Sequence, residues 1–404
     1  MNAGIDWASE HHDLCVIDDA GAIQQRLRIR HTGDGIRRLI DTLAGYGHPA
    51  ELAVAIERPD GVLVEALLDA GHRVVPIPPA AFAAARGRWS SSGTKSDQAD
   101  AYQLADFLRT DGHRFRRLEP FDDATRQLRS LVRTRADHVA ARVAATNQLA
   151  ALLAEHWPGA GGIFARLDSE IALSFLDDYP TPESAQRLAE KRLTAFLRRH
   201  AYCGRKPASD LLARLRTAPT PSRPLDPDCL RDIIRCQTRL VRTLLHTIAS
   251  LDAAIAALIG EHPKAAVIQS LPRSGTISAA QLLAEIGPIL DRAPNAERAA
   301  AEAGASPATS TTGKRRHGAH FRYATNPKPR QALTLWADNS RHGSTWAMHI
   351  YREARLRGCR HPHAIRILAR AWIRILWRLW HTNTTYNPRA HRNAEALHQR
   401  LSLT

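Results

Sequence analysis

Four carboxylates are spaced as a shared divalent-ion site would need them. Asp6 lies in Gly4-Ile5-Asp6-Trp7-Ala8, inside the first apolar segment, and Glu57 ends a second one, Leu52-Ala53-Val54-Ala55-Ile56-Glu57. Asp97 and Asp100 stand three apart in Lys95-Ser96-Asp97-Gln98-Ala99-Asp100-Ala101, at the start of a helix-like stretch. Carboxylates gathered near strand ends repel one another. A hard cation held by oxygen ligands relieves that repulsion. Two such ions can clamp the attacking and leaving oxygens of a phosphodiester. The plainer reading is that these acids are helix caps and surface charges.

A second group of residues is basic. The chain has 404 residues and a formal net charge of +16, which points to a polyanionic partner, most simply nucleic acid. Residues 313–380 carry fifteen Lys/Arg against two acids, Asp338 and Glu353, so the excess is clustered. Arg366, Arg370, Arg374 and Arg378 recur every four residues and form one stripe on a helix. Phosphates would relieve the repulsion within that stripe and would make binding salt-dependent. Five tryptophans lie in the same region: Trp336, Trp346, Trp372, Trp377 and Trp380. Core packing is the favoured reading for them over base stacking.

The elements that must position these residues can be read from periodicity. Ala3–Trp7, Asp13–Ile17 and Ile23–Ile29 read as short strands, the last two joined by the turn Asp18-Asp19-Ala20-Gly21. Thr32 to Ala44 has helical spacing with Thr32 as N-cap. Leu52–Ile56 and Arg73–Ile77 read as buried strands, Gly61–Ala70 and Asp97–Arg109 as helices. A hairpin meander followed by helix–strand alternation predicts a mixed sheet with covering helices. Two long helices, about Asp122–His156 and Pro227–Ile259, flank an insert of shorter pieces that includes the Pro-rich turn or linker Pro219–Pro224. They are expected to pack as an antiparallel coiled coil or as plain paired helices, because the heptads are imperfect. Leu271–Ala280 followed by Leu282–Gly287 reads as helix, glycine turn, helix. This is either a helix-hairpin-helix that offers backbone N–H groups to phosphate or a simple core element. The expected domains are 1–120, 121–262, 263–390 and a tail, 391–404.

Other functional classes are disfavoured. The five cysteines are scattered, form no CxxC pair and are odd in number, which argues against a zinc site or a disulfide scaffold and fits a reducing compartment. The N-terminus lacks a basic region followed by an apolar run, so no signal peptide is expected. No run of about 18 apolar residues is present, so no membrane span is expected.

Over nearly its whole length the chain resembles bacterial insertion-sequence transposases with an N-terminal DEDD domain and a C-terminal serine-type domain. Asp6, Glu57, Asp97 and Asp100 match the four acidic positions in order. The block Gly304-Ala305-Ser306-Pro307-Ala308-Thr309-Ser310-Thr311-Thr312-Gly313-Lys314-Arg315 matches the C-terminal signature, with Arg322-Tyr323-Ala324-Thr325-Asn326 and Arg330-Gln331-Ala332-Leu333 after it. The family pattern has a serine directly before the glycine, taken as the nucleophile. Here Thr312 stands there, and its β-branch crowds attack and restricts χ1. Ser310, two residues upstream, is the other candidate.

The resemblance implies an α/β ribonuclease-H-like, RuvC-like N-terminal domain, a coiled-coil-like middle and a mainly α C-terminal domain. It implies Mg²⁺ or Mn²⁺ on the acidic tetrad and a hydroxyl that attacks the scissile phosphate to form a protein–DNA ester. Lys314, Arg315, Arg316 and Arg322 would contact nucleic acid, and the first three would stabilise charge developing on the phosphate. The implied partners are DNA at element ends and target, a structured non-coding guide RNA, and further copies of the chain in a dimer or tetramer. The implied location is the bacterial cytoplasm, on the nucleoid. The alternatives are a metal-dependent structure-specific nuclease and an inactive copy that only binds nucleic acid.

Overall fold

A computed structural model of the chain describes residues 1–89, 96–312, 315–321 and 325–391. They form two compact units, Met1–Phe121 and Asp122–Thr404.

The first unit is built on a mixed five-stranded sheet. Its strands are β1 (Asn2–Trp7), β2 (His11–Ile17), β3 (Ile23–Arg30), β4 (Ala53–Ile56) and β5 (Arg73–Pro76), in the order β3-β2-β1-β4-β5. The meander β1-β2-β3 is antiparallel, and β4 and β5 run parallel to β1. Parallel strands need helical crossovers. These are α1 (Gly33–Ala44), whose N-cap Thr32 accepts from the Gly35 amide, and α2 (Val62–Asp69). Ile36, Leu39, Leu43, Leu63 and Leu67 of these helices pack on Ile5, Val54 and Ile56. The opposite face is covered by α3 (Pro79–Ala85) and α4 (Asp97–Asp111), with Phe82, Leu104, Phe107 and Leu108 against Ala53, Ala55 and Val75. The short α3 is absent from the sequence expectation. Pro79 supplies the proline at its first turn.

The second unit is mostly helical. Helix α5 (Asp123–His156) and the Pro227–Ile259 helix pair antiparallel. Leu128 and Val132 share a core with Ile255 and Ile259, while Ala145, Leu149 and Leu153 share another with Ile234 and Val241. In the Pro227–Ile259 helix Ile234, Val241, Ile248 and Ile255 are buried at seven-residue intervals. In α5 the matching row is Leu128, Arg135, Arg142, Leu149, so two arginines interrupt the apolar seam. That interruption explains the imperfect heptads. Arg135 pairs with Asp252, and Arg142 with Asp168 at 3.1 Å. By length and composition the Pro227–Ile259 helix is apolar enough to cross a membrane. The sequence expectation counted no such run; here its buried row faces α5 and the insert.

The insert between the long helices folds as short helices around Phe175, Leu193 and Phe196. The helices Ala265–Gln269 and Thr276–Glu285 flank the turn that contains Ser274-Gly275. All five C-terminal tryptophans belong to the core beside them: Trp336, Trp372 and Trp380 are buried, Trp346 and Trp377 partly so. Their indole N–H groups find partners, such as the Pro272 carbonyl for Trp336 and Ser340 Oγ for Trp372. Core packing is thus their role. The Ser/Thr-rich segment forms a β-hairpin, β6 (Ala308–Thr312) with β7 (Arg315–His320). Its β-branched residues Thr309, Thr311 and Thr312 suit a strand.

Candidate active site

The site is assembled by register and by one glycine. In the parallel pair β1/β4, Ile5 is paired with Ile56, so the next residues, Asp6 and Glu57, stand at neighbouring strand ends. In the antiparallel pair β1/β2, Asp6 lies opposite Asp13. Side chains alternate along a strand. Ile5 and Ile56 point into the core under α1 and α2, so Asp6 and Glu57 point to the α4 face. There the helix lies unusually close. A Cβ on Gly4 would meet the Ala101 carbonyl oxygen at 2.2 Å and the Ala105 nitrogen at 2.4 Å. Only glycine permits that approach.

Helix α4 then brings its first turn to the same face. Ser96 caps it by accepting from the Ala99 amide, and Asp97 and Asp100 occupy the positions where the helix dipole favours negative charge. Asp100 is buried and takes a hydrogen bond of 2.9 Å from Arg86. Asp97 is about half exposed, lies 3.4 Å from Arg28 Nη2 and 3.7 Å from His11 Nε2. Arg28 also grips the buried Asp13, with its Nε at 3.1 Å from both carboxylate oxygens and its Nη2 at 2.8 Å from Oδ2. One guanidinium therefore bridges Asp13 and Asp97. Among the described residues, His11, Asp13 and Asp97 have ligand atoms that all lie within 4.8 Å of one another.

Trp7 and Arg58 directly follow Asp6 and Glu57, and the Arg58 guanidinium stacks over the Trp7 ring at 4.4 Å. This contact ties together the two strand exits. Behind the site, on the far side of β2, His12 is fully buried with its Nε2 2.8 Å from His31 Nδ1. Burial, reinforced by the neighbouring His31 and His11, lowers its pKa to about 4.

Sequence reasoning selected Asp6, Glu57, Asp97 and Asp100 and passed over His11, Asp13, Arg28 and Arg86. The signal for Asp13 and Arg28 was present, in polar residues facing one another across a hairpin. It is hidden by a bulge at Val16/Ile17. Ile17 pairs with Ile23, but from Val16–Gln25 onward the count shifts by one, and only that shift sets Asp13 against Arg28.

The other predicted residues lie in the second unit. The backbone register sets Thr312 against Arg315 and Thr311 against Arg316, with Ser310 at a register irregularity. Lys314 and Arg322 lie outside the described residues. Along the arginine stripe of the His361–Thr382 helix, Arg370 and Arg374 converge on Glu297, at 2.8 and 2.6 Å. Hydrogen bonds from these two arginines hold the Glu297 carboxyl below its usual pKa. Arg366 stacks over Phe321 at 5.0 Å, and Arg378 is exposed. The stripe is thus partly neutralised by an acid far away in sequence.

Comparison with known proteins identifies the family. Residues 3–158 match the DEDD-type IS110 transposase model, and residues 265–352 match the transposase IS116/IS110/IS902 family. The first match contains all four acids and the second contains the β6–β7 hairpin. The chain is 33% identical over 386 residues to the mini-circle putative transposase for IS117 of Streptomyces coelicolor, covering 90% of each chain. It is 27% identical to an IS110 insertion-element protein of the same organism over 96% of this chain and 95% of that protein. It is also 27% identical to an IS900 protein of Mycobacterium paratuberculosis, covering 96% of this chain and 97% of that protein. The chain therefore belongs to the IS110/IS116/IS117 family of transposases, enzymes that cut and join DNA.

Proposed function

We propose that this transposase cleaves and exchanges DNA strands at the ends of its insertion sequence, using a DEDD metal site on a ribonuclease-H-like sheet and a hydroxyl nucleophile from the β6–β7 hairpin. The observation that carries the reading is the β1/β4 register, which brings Asp6 and Glu57 to adjacent strand ends on the face where α4 starts with Asp97 and Asp100.

The donor set fits a hard divalent cation. Carboxylate oxygens are the ligands that Mg²⁺ and Mn²⁺ prefer, and His11 adds a nitrogen that suits Mn²⁺ better than Mg²⁺. Two of the acids are meanwhile neutralised by arginine, Asp97 by Arg28 and Asp100 by Arg86. These guanidiniums offset the repulsion between the gathered carboxylates. Asp6, Glu57, Asp97 and Asp100 would hold the ions, which supply charge to polarise the scissile phosphate. The Arg58–Trp7 stack keeps Asp6 and Glu57 in place.

Thr312, or Ser310, supplies the hydroxyl. Its oxygen attacks phosphorus, an O–P ester forms, and the sugar oxygen of the cut strand leaves and takes up a proton. Lys314, Arg315 and Arg316, which follow Thr312 closely in the sequence, meet the charge that develops on the phosphate. A structured non-coding guide RNA selects the target, and a dimer or tetramer lets the metal domain of one copy serve the hairpin of another. Arg366 and Arg378 contact the nucleic-acid backbone.

The deciding experiment traps the adduct on a phosphorothiolate element end. Thr312→Ala is expected to abolish it and Thr312→Ser to keep or raise it, since serine lacks the β-methyl. Loss with Ser310→Ala instead would move the nucleophile to Ser310. No adduct with any form would leave the hydrolytic nuclease or the inactive copy, the reading that Thr312 favours. Asp6→Asn is expected to stop strand exchange, and full activity in that variant would remove the metal site.

A further inference from the structure

The basic surface holds a concavity that neither family match includes, because it lies beyond residue 352. It is formed where the Thr345–Leu356 helix ends and the His361–Thr382 helix begins, and is lined by Arg357, Gly358, Cys359, Arg360, Pro362, His363 and Arg366. The turn is preorganised. Gly358 is left-handed at φ +81°, its amide donates to the Arg355 carbonyl, and the Cys359 amide donates to the Ala354 carbonyl. Arg355 braces the turn by donating from Nη1 to the Cys359 carbonyl at 3.1 Å.

The charge balance there differs from the rest of the helix. Three arginines and a histidine line the cavity, and no carboxylate does. Arg357 and Arg360 are exposed, and among the described residues no acid pairs with either. By contrast, Arg370 and Arg374 share Glu297, and Arg341 pairs with Asp338. Like charges held on a rigid turn repel, and a doubly contacted phosphate oxygen pair matches guanidinium geometry. The dipole of the 22-residue helix that starts at His361 adds to the same potential.

We propose that this cavity binds a phosphate of the nucleic-acid backbone through Arg357, Arg360 and Arg366, with His363 as a further donor. The proposal rests on the reading of the chain as an enzyme that handles nucleic acid. It adds Arg357, Arg360 and His363, which lie before the arginine stripe, to the contact assigned to Arg366.

The test uses the full-length chain, a random-sequence DNA duplex and a random-sequence single-stranded RNA. Binding is measured against salt for the unaltered protein and for Arg357→Gln with Arg360→Gln, after confirming equal thermal unfolding. Each lost phosphate contact should lower the log–log salt slope by about 0.9 on duplex DNA or about 0.7 on single-stranded RNA. The polymer whose slope falls is the one that occupies the cavity. An unchanged slope on both, with the unaltered protein binding normally, overturns this proposal and leaves the transposase mechanism intact. Failure of the unaltered protein to bind either polymer overturns both. Should the double variant unfold, maleimide labelling of the unaltered protein reads the same point. Labelling at Cys359 is expected to slow at least severalfold when the protein is saturated with the bound polymer, and an unchanged rate overturns the proposal.

Discussion

A methyl group at Gly4 would fall 2.2 Å from one backbone atom of α4 and 2.4 Å from another, and backbone cannot rotate away as a side chain can. Gly4→Ala is therefore expected to push α4 from β1 and destabilise the first unit by about 3 kcal/mol, the upper range of overpacking costs. Urea unfolding measures it, and a loss below about 1 kcal/mol would mean the helix shifts easily. Arg28 is the matching electrostatic case. Arg28→Ala leaves Asp13 buried without its bidentate partner, and loss of a charged hydrogen-bond partner costs about 1.5–3 kcal/mol. Adding Asp13→Asn to that variant should recover part of the loss. His12 gives the sheet a pH dependence. Its pKa is lowered by burial from 6.5 to about 4, so between these values the unfolded chain binds more protons than the folded one. Stability must then rise with pH across that window and be lost on acidification. His72, lowered in the same direction by burial, adds to it. His12→Asn should flatten the dependence between about pH 4.5 and about pH 6.5, as read from urea midpoints.

At the scale of elements, the His361–Thr382 helix shows why a charge pattern read from sequence is incomplete. The four-residue spacing of its arginines was legible, and so was its buried face of Leu368, Trp372 and Leu376. Glu297 was not, because it lies 73 residues before Arg370 and reaches the stripe only through folding. Glu297→Gln should release Arg370 and Arg374 and steepen the salt slope of nucleic-acid binding by up to about 0.9 for each arginine that gains a phosphate. A slope that stays the same would confine both arginines to a structural role. The sheet teaches the same lesson. Strand positions, the Thr32 cap and both long helices followed from local periodicity and turn residues. The Asp13–Arg28 partnership depended on a single extra residue in β3, and a one-residue slip would have turned Arg28 to the other face. The hairpin β6–β7 escaped because its strands are short and polar, with no apolar alternation to mark them.

On the scale of the whole molecule, each unit has its own cores, and α5 begins at the boundary. The second unit carries a buried ion pair in which Arg133 donates to both oxygens of Glu285, at 2.6 and 3.0 Å. Arg133→Leu should destabilise that unit by about 3 kcal/mol, because a buried carboxylate loses its main partner. Calorimetry should show the loss, and Arg133→Leu combined with Glu285→Leu should regain most of it. The antiparallel pair of long helices has a further consequence. Its two apolar clusters sit at opposite ends, with Arg135 and Arg142 along the seam between them. A slide of one heptad would part Arg135 from Asp252, so the pair has one register and acts as a bar of fixed length. At 1.5 Å per residue, the 34 residues of α5 span about 50 Å, close to the rise of about fifteen base pairs of duplex DNA. Removing seven residues from both helices would keep the seam in phase and shorten the bar by about 10 Å, the rise of about three base pairs.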